Sequence, residues 1–430
     1  MSTAPYAVNS PTATPMPRSK LYKLVIASSI GNALEWFDLI VYGFFAVTIA
    51  KLFFPTADET VSLLLTLGTF AVSYLIRPLG AAVLGSYADR VGRKAAMLAS
   101  IWLMMLGTFL IAVMPTYATI GVLAPMGIFL ARLIQGFSAG GEFGSATALL
   151  VEQAPERKGL ISSFMFASQG LSGLLGSGFG LLLTSTLSTA DLESWGWRIP
   201  FLFGLLIGPI GLYIRRHIEE AGVHDASDRS HAPVKELFAE HKFRMLLAIG
   251  ALVLSTSVSY LIIYMPTYAV KQLGLTASIG YTGTLLSGLV LTVLTPFIGH
   301  LSDVFGRTRF MLGAAAVFVL SIYPAFSWLS ANPTLMALLA VLFWMSLLKA
   351  LYFGGLPALM SEIFPTHVRA SGLALSYNMG TTLFGSFTPF IVVWLISSSG
   401  NNLAPSYYLM LTGILSLATL LTLRSKLKIA

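Results

Sequence analysis

The sequence contains no cysteine and few charged residues. None of its 430 residues is Cys, and Asp, Glu, Lys and Arg together make up 10% of the chain. The missing cysteine excludes disulfides, thiol nucleophiles and cysteine-ligated metal sites. Because a soluble globular protein carries about 25% charged residues, the shortage of charge also excludes an ordinary cytosolic enzyme, a disordered chain and a fibrous one.

Apolar residues dominate instead and occur in long runs. Hydrophobic residues make up 56% of the chain, and the mean hydropathy is +0.79. A helix needs about 20 mostly apolar residues to cross about 30 Å of hydrocarbon. The runs predict an all-α membrane protein with twelve transmembrane helices and no soluble catalytic domain, and so not an enzyme. The predicted spans are 24–50, 60–84, 95–113, 120–147, 160–184, 199–214, 245–268, 280–300, 309–328, 334–358, 369–396 and 405–423.

The spans fall into two groups of six. A polar segment separates the groups, and a stretch rich in Pro, Ser and Thr precedes the first span. We expect a disordered cytoplasmic tail, two six-helix bundles, a cytoplasmic central loop and a short cytoplasmic tail at the end. In chain order these units are 1–20, 21–214, 215–244, 245–424 and 425–430.

Basic residues gather on one side of the predicted spans. Twenty of the 26 Lys and Arg residues lie in the two tails and in every second loop. This distribution follows the positive-inside rule. It predicts a multi-pass protein of the cytoplasmic (inner) membrane with both termini in the cytoplasm. No nucleic-acid partner is expected, because a nucleic-acid site needs basic residues clustered on one folded face.

Two pairs of cytoplasmic loops repeat between the halves. GSYADRVGRK (85–94) follows span two and GHLSDVFGRTR (299–309) follows span eight, with the shared Gly, Asp, Gly and Arg 214 positions apart. EQAPERKG (152–159) and EIFPTHVRASG (362–372) form a second pair, each with a Glu three residues before a Pro. Two matching six-helix units predict a parallel repeat about an axis along the membrane normal, which is an architecture of alternating-access carriers.

These loops also predict a cytoplasmic gate. A carboxylate near a helix end can meet a helix N-terminus or an Arg of a neighbouring helix and hold the inner side closed. The alternative is a basic loop that only sets the topology. The candidate gate residues are Gly85, Asp89, Arg90, Gly92, Arg93, Asp303, Arg307, Glu152, Arg157, Glu362 and Arg369.

The loop at 85–94 resembles the Gly-x-x-x-Asp-Arg-x-Gly-Arg-Lys signature of the major facilitator superfamily. The loop at 299–309 is similar to a decayed copy, with Val304 and Thr308 at the positions of an Arg and a Lys. GNALEWFDLIVYGFFA (31–46) and ARLIQGFSAGGEFG (131–144) resemble, within that superfamily, the metabolite:proton symporters that carry citrate, α-ketoglutarate, shikimate or proline/betaine. The resemblance covers nearly the whole chain after residue 20. It implies the major facilitator fold and proton coupling without any other cofactor.

Three acidic residues inside the predicted spans are candidates for proton coupling. They are Glu35 and Asp38 in span one and Glu142 in span four. In related proton-coupled porters an Asp of span one pairs with an Arg of span four, and Asp38 and Arg132 match that arrangement by span and by estimated height. Such a carboxylate can take a proton when its contact with the Arg loosens. A permanent structural ion pair is the alternative for Asp38, and a structural role stays open for Glu142.

Three cations inside the predicted spans are candidates for binding the cargo. Lys349 has no acidic neighbour in the run LFWMSLLKALYFGG, so an anionic cargo, a carboxylate of another helix or snorkelling must account for it. Arg77 and Arg132 can grip carboxylates with two parallel hydrogen bonds, and bracing near the inner gate is the alternative for Arg77. Polar and aromatic residues that can line a cavity, or simply pack, are Asn32, Tyr42, Gln169, Tyr260, Tyr264 and Asn378.

Together, the topology, the resemblance and the intramembrane charges predict a proton-coupled symporter that imports a small carboxylate, such as citrate or α-ketoglutarate, by alternating access. We expect a functional monomer whose partners are a small organic anion, protons and the lipid bilayer. Two alternatives stay open, a proton symporter of zwitterionic osmolytes and a passive facilitator. Lys349 counts against the first, and Asp38 opposite Arg132 counts against the second.

Overall fold

The computed structural model describes residues 18–91, 93–140, 142–205, 208–209 and 233–428. Helices account for nearly all of these residues, and none of them forms a strand. The predicted tails and central loop therefore fall partly or largely outside the described residues, and α7 below begins at Lys242.

In the part of the first half that the structure describes, we number six helices, three of which are interrupted. They are α1 (Arg18–Phe44, then Ala46–Phe53), α2 (Glu59–Leu75, then Arg77–Val91), α3 (Arg93–Val113), α4 (Leu123–Ser138, then Glu142–Gln153), α5 (Lys158–Thr186) and α6 (helical at 199–205 and 208–209). Short helical turns at Tyr117–Ile120, Thr189–Ser194 and Gly196–Arg198 join them.

The second half forms six more helices. They are α7 (Lys242–Lys271), α8 (Ala277–Phe305), α9 (Arg307–Ala331), α10 (Leu335–Phe353, then Leu356–Ile363), α11 (Arg369–Gly380, a π-helical stretch Thr381–Ser386, then Thr388–Ser399) and α12 (Ala404–Thr422, then a π-helical stretch Leu423–Leu427). A helix at Pro233–Glu240 precedes α7, and a 3₁₀ turn at Thr366–Val368 joins α10 to α11.

Local sequence explains where α2 begins and breaks. The side chain of Asp58 accepts a hydrogen bond from the backbone N–H of Thr60 at 2.7 Å and so caps the start of the helix. The break at Ile76 lies two residues before Pro78, whose ring fixes its own backbone and which has no N–H to donate. The break separates Tyr74 from Arg77, which both become part of the central site.

Length and apolar character make these helices able to span a bilayer. In the described part of the chain, nine helical segments are long and apolar enough to cross a membrane, and the shorter segments Leu98–Val113 and Leu123–Ser138 are also apolar. Large apolar side chains such as Leu320, Met336 and Leu246 are exposed on the outside of the bundle. Such a surface is stable against lipid rather than water.

The helix pairs that join the halves include α5 with α8 and α2 with α11. The backbones of α5 and α8 approach so closely at Gly288 that a Cβ there would lie 2.5 Å from the backbone nitrogen of Leu174. Small residues permit this kind of helix contact in membranes. At the other pair, the Thr382 hydroxyl of α11 donates to the carbonyl of Tyr74 at 3.3 Å. These contacts bring the buried polar residues of the two halves together.

Candidate substrate and proton site

Asp38 and Arg132 are joined by a hydrogen-bond chain rather than by an ion pair. The Thr108 hydroxyl of α3 donates to Asp38 Oδ2 at 2.8 Å. Gln135 then donates from Nε2 to Thr108 Oγ1 at 2.9 Å and accepts at Oε1 from Arg132 Nη1 at 2.8 Å. The direct ion pair predicted from the sequence is therefore absent, and neither Thr108 nor Gln135 was among the predicted site residues. The only sequence feature that could have identified Thr108 and Gln135 as site residues is that they are polar residues within apolar runs.

The second carboxylate oxygen of Asp38 faces α6. Oδ1 is buried and has no hydrogen-bond partner among the described residues. It lies against Gly204, where a Cβ would overlap it. Asp38 therefore has one oxygen held by Thr108 and a second oxygen that is available for a proton.

The guanidinium groups of Arg77 and Arg132 lie over aromatic rings. Arg132 lies 4.6 Å from the ring centre of Tyr42 and 4.9 Å from that of Phe70, and Arg77 lies 3.9 Å from that of Tyr74. Both Arg side chains are almost fully buried. Nε of each, and Nη2 of Arg77, find no acceptor among the described residues. The two cations are held by cation–π contacts with hydrogen-bonding capacity left over.

Tyr260 of α7 brings the second half into this cluster. Its ring centre lies 5.9 Å from those of Trp36 and Phe70 and 5.8 Å from that of Tyr74. The hydroxyls of Tyr74 and Tyr260 are buried without a partner among the described residues. Tyr264, one turn further along α7, also has a buried hydroxyl without a partner among the described residues, but its ring packs against Tyr268 of the same helix.

Glu35 belongs to the same region. It is half-buried on α1 and interacts electrostatically with both Arg77 and Tyr377. The side chain of Glu142, the third candidate for proton coupling, lies outside the described part of the structure.

Four predicted cavity residues bind neighbouring groups and so hold helices together. Asn32 donates to the carbonyl of Met165 at 2.7 Å, Tyr42 to that of Thr66 at 3.3 Å, Gln169 to the hydroxyl of Tyr377 at 3.1 Å and Asn378 to the carbonyl of Gly140 at 2.5 Å. These bonds satisfy the polar groups and so offset the cost of burying them. Each group still keeps some capacity for a further hydrogen bond.

Lys349 lies at one end of an aromatic ladder that crosses the two halves. Its Nζ lies 4.5 Å from the ring centre of Phe353, which stacks on Phe166 at 4.1 Å. Phe166 stacks on Phe143 at 5.4 Å, and Phe143 stacks on Tyr377 at 3.7 Å. Lys349 is 7% exposed, and it forms no hydrogen bond or ion pair with any residue that the structure describes.

Asp303 binds across the two halves at the place where the sequence predicts the inner gate. Its Oδ1 accepts a hydrogen bond from the backbone N–H of Gly159 at 2.7 Å, and its Oδ2 accepts one from that of Leu160 at 2.9 Å. The carboxylate of the second half therefore binds the N-terminus of α5 in the first half, where a negative charge is favourable. Arg307 bonds Asp303 at 3.2 Å and also pairs with Glu362.

Two further ion pairs cross between the halves at this end. Lys158 lies 3.6 Å from Glu362, and Arg369 lies 3.5 Å from Glu152. Arg157 is exposed and takes part in no ion pair within the described ranges. In the first copy of the loop, the side chains of Asp89, Arg90 and Arg93 and the surroundings of Gly85 and Gly92 lie outside what the structure describes.

The halves also meet at the opposite end of the helices. Lys271 at the end of α7 pairs with Glu59 at the start of α2. The Tyr281 hydroxyl of α8 donates to the carbonyl of Phe44 at 2.7 Å. Since α8 has 29 residues, about 43 Å separates its two ends. Contacts between the halves therefore lie at both ends of the helices, on either side of the central cluster.

The sequence matches two family models. The model described as "Major Facilitator Superfamily" matches residues 28–293, and the model described as "Sugar (and other) transporter" matches residues 214–425. The chain belongs to the major facilitator superfamily. The resemblance carried by the loop at 85–94 is thereby confirmed.

Curated relatives of this facilitator include proteins that are named for two different kinds of substrate. It is 37% identical over 398 residues to the citrate-proton symporter of Klebsiella pneumoniae, which covers 91% of this chain and 89% of the relative. It is 36% identical over 422 residues to the proline/betaine transporter of Escherichia coli (strain K12), with 94% and 84% covered. The relatives are transporters and not enzymes.

Solved structures of the same superfamily share the fold. The partially occluded inward open form of the xylose transporter XylE from E. coli superposes with a TM-score of 0.72 at 17% identity, covering 95% of this chain and 98% of that chain. XylE bound to 6-bromo-6-deoxy-D-glucose gives 0.75 at 16% identity, covering 95% and 96%. The predicted twelve-helix major facilitator fold is thereby confirmed.

These findings establish the general function. The facilitator is a proton-coupled symporter and a multi-pass membrane protein, as the sequence predicted, and its role is transport rather than catalysis. Because citrate and proline/betaine both occur among the names of the relatives, the substrate is a separate question.

Proposed function

We propose that this facilitator imports a small di- or tricarboxylate together with protons. In this proposal both termini lie in the cytoplasm of a bacterial cell, the inner membrane holds the protein, a monomer is the working unit, and protons are the only coupling partner. The similarity to the Klebsiella pneumoniae citrate-proton symporter supports it. The charge of the buried site supports it independently.

One observation carries the proposal. Arg132 and Lys349 are buried, and neither forms an ion pair with a carboxylate in the described part of the chain, whereas the buried Arg77 interacts electrostatically with Glu35. A buried charge is costly unless it is paired and hydrogen-bonded. The unused donors of both Arg side chains, together with the hydroxyls of Tyr74 and Tyr260, would satisfy the oxygens of a carboxylate. An anion is therefore the cargo that best completes this site.

The hydrogen-bond chain suggests how a proton prepares the site. The Thr108 hydroxyl has one hydrogen but two acceptors in reach, Asp38 Oδ2 at 2.8 Å and the carbonyl of Met104 at 3.0 Å. With Asp38 ionised, the hydroxyl donates to the carboxylate. A proton on Oδ1, the oxygen without a partner, leaves the bond from Thr108 in place. A proton on Oδ2 would instead be donated to Thr108, which then turns its hydrogen to Met104 while still accepting from Gln135.

Protonation of Asp38 also changes the electrostatic potential around Arg132. A negative Asp38 offsets part of the positive potential of Arg132 through the chain, whereas a neutral Asp38 leaves that potential to an incoming anion. Binding of the proton thus favours binding of the carboxylate, and by linkage the carboxylate favours the proton. The gate contacts of Asp303 would then have to open for release on the inner side.

A second candidate is supported by the aromatic rings. Trp36, Phe70, Tyr74 and Tyr260 form a cluster of packed rings beside the two Arg side chains, and aromatic rings attract quaternary ammonium groups. A zwitterion such as betaine would place its carboxylate on Arg and its ammonium on the rings. The similarity to the Escherichia coli proline/betaine transporter supports this alternative.

Binding to the purified carrier distinguishes the two candidates. Calorimetry with citrate, a dicarboxylate, a monocarboxylate and glycine betaine is expected to rank the tricarboxylate or dicarboxylate first. Lys349→Met keeps the side-chain length and removes the charge, and it should weaken di- or tricarboxylate binding by about 2–5 kcal/mol. Betaine binding should fall much less, and Lys51→Met, which removes a cation at the exposed outer surface, should change neither.

The opposite ranking would contradict the proposal. If betaine binds and citrate does not, the zwitterion reading replaces it. If carboxylates bind but Lys349→Met leaves their affinity unchanged, Lys349 has another partner and the anion site is formed by Arg77 and Arg132 alone.

A further inference from the structure

Three potential metal ligands converge where the helix before α7 meets the turn between α10 and α11. Glu236, His241 and His367 each offer one ligand atom, and these atoms all lie within 4.8 Å of one another. His367 Nε2 lies 2.7 Å and His241 Nε2 lies 3.8 Å from the same oxygen, Glu236 Oε1. Glu236 and His241 lie five residues apart just before α7, in the segment predicted as the central loop, and His367 lies in the turn between α10 and α11.

We propose that Glu236, His241 and His367 form a binding site for a divalent transition-metal ion such as Zn²⁺. Two imidazoles and a carboxylate are ligands that suit Zn²⁺, Co²⁺, Ni²⁺ and Cu²⁺. The site is separate from the buried cluster that handles cargo and protons. It would have a regulatory or structural role rather than a role in the transport chemistry.

The spacing of the ligand atoms fits such an ion. Zinc binds His nitrogen and carboxylate oxygen at about 2.0–2.2 Å, so ligand atoms of a tetrahedral site lie about 3.3 Å apart. The two distances to Glu236 Oε1, 2.7 and 3.8 Å, lie on either side of that value. The ligand atoms of the two histidines lie within 4.8 Å of each other, so side-chain rotations that bring all three ligand atoms to this spacing would complete the site. The side chain of His367 is 44% exposed, which leaves room for a water as the fourth ligand.

The backbone around the ligands is well anchored. The N–H of His241 donates to the carbonyl of Leu237 at 3.0 Å, and Leu237 is fully buried. Arg244 Nη1 donates to the carbonyl of Ile363 at 2.5 Å and ties the start of α7 to the end of α10. Ligands held by packed elements lose less freedom when they bind an ion.

An ion at this site would act on the inner gate. His367 precedes Arg369 by two residues, and Arg369 both donates to the carbonyl of Ser361 at 2.9 Å and pairs with Glu152 of the first half at 3.5 Å. A metal bound to His367 would fix the turn at Thr366–Val368 and stabilise the conformation in which this pair forms. Metal binding is then expected to slow opening of the gate.

The test is a metal titration of the full-length carrier, purified without a polyhistidine tag and treated with a chelator. Zinc affinity is measured in competition with a chromophoric chelator on wild type, His241→Ala, His367→Ala and Glu236→Gln. Each variant is expected to bind zinc about tenfold or more weakly than wild type. His300→Ala, which removes an exposed histidine of α8, is the matched control and should bind as wild type does.

Two features of the design keep the result interpretable. Three more histidines, His217, His224 and His231, lie in the sequence before Glu236 and outside the described residues, so only the difference between variants and control counts. Proton-coupled uptake in metal-free buffer reports whether each variant is folded. Equal zinc affinity in folded variants and in the control would overturn the proposal and leave a simple hydrogen bond between His367 and Glu236.

A spectroscopic measurement on the wild type needs no variant. Cobalt bound by two imidazoles, a carboxylate and water in a tetrahedral site gives intense visible absorption, whereas cobalt in water does not. Absence of that absorption at saturating Co²⁺ would also overturn the proposal. Its presence, together with its loss in His367→Ala but not in His300→Ala, supports it.

Discussion

Asp38 and Arg132 are linked by hydrogen bonds through Thr108 and Gln135 and form no direct ion pair. Three hydrogen bonds of 2.8–2.9 Å connect the carboxylate on α1 to the guanidinium on α4. A direct ion pair would neutralise both groups and would have to break before either could act. The chain instead leaves one oxygen of Asp38 and the Nε of Arg132 without partners among the described residues, as the proposed binding of a proton by Asp38 and of an anion by Arg132 requires.

Asp38→Asn should abolish accumulation of cargo against its gradient and leave exchange across the membrane partly intact. The amide cannot take up and release the coupling proton, but its oxygen can still accept from Thr108, so packing is preserved. Uptake driven by a pH gradient and counterflow in proteoliposomes separate the two activities. Full accumulation with normal proton movement would refute the assignment. Glu35→Gln, tested in parallel, shows whether the neighbouring acid is the coupling group instead.

Thr108→Val should weaken both stability and coupling. Valine has nearly the same shape but leaves Asp38 Oδ2 and Gln135 Nε2 without their bonds, which costs about 1–3 kcal/mol for buried polar groups. Thermal unfolding and the pH dependence of uptake measure the two effects. Thr147→Val is the matched control, since the Thr147 hydroxyl is buried without any partner in the described structure. A Thr108 variant as stable and as pH-sensitive as this control would show that the chain is irrelevant.

Gly204→Ala should impair concentrative uptake. The added Cβ would overlap Asp38 Oδ1, so either the carboxylate must rotate away from Thr108 or α6 must shift, at a cost of about 1–3 kcal/mol. Gly208→Ala, one turn further along α6, is the control, because its Cβ would meet only the flexible side chain of Met105. We expect uptake by the second variant to stay near that of wild type. Equal uptake by both variants would mean that the contact with α6 is not needed.

Asp303→Asn should favour states that are open on the inner side. The substitution removes the charge that caps α5 and that attracts Arg307, and charge-assisted bonds of this kind are worth about 1.5–3 kcal/mol each. A single cysteine at Ser163, which is buried between α5 and α8, can be introduced because the chain has none. Its labelling by a maleimide from the inner side should become about tenfold faster or more.

The control for this gate variant is Asp191→Asn, which removes a carboxylate from the short helix Thr189–Ser194 and not from the gate. Asp89→Asn, the counterpart of Asp303 in the repeat, is expected to act in the same direction. Unchanged labelling in Asp303→Asn would show that the other ion pairs hold the inner side closed without it.

The sequence alone determined the class of the protein. Twelve apolar runs, the placement of Lys and Arg and the repeat of two loops are properties of short segments or of fixed spacings, so they could be read without any knowledge of helix contacts. The same holds for the motifs that resemble those of the major facilitator superfamily. The family model and the curated relatives confirm that family. The list of intramembrane charges could be read in this way too, because charge in hydrocarbon is rare enough to stand out.

The tertiary structure decided what those charges touch. Thr108 lies 70 residues from Asp38 and 27 from Gln135, and nothing in the sequence distinguishes it from other Thr residues in apolar helices that bond their own backbone. Tyr260 enters the cluster from the other half of the molecule. Such contacts depend on how helices pack and rotate against one another, and these angles arise from many small packing energies spread over the whole chain rather than from any local pattern.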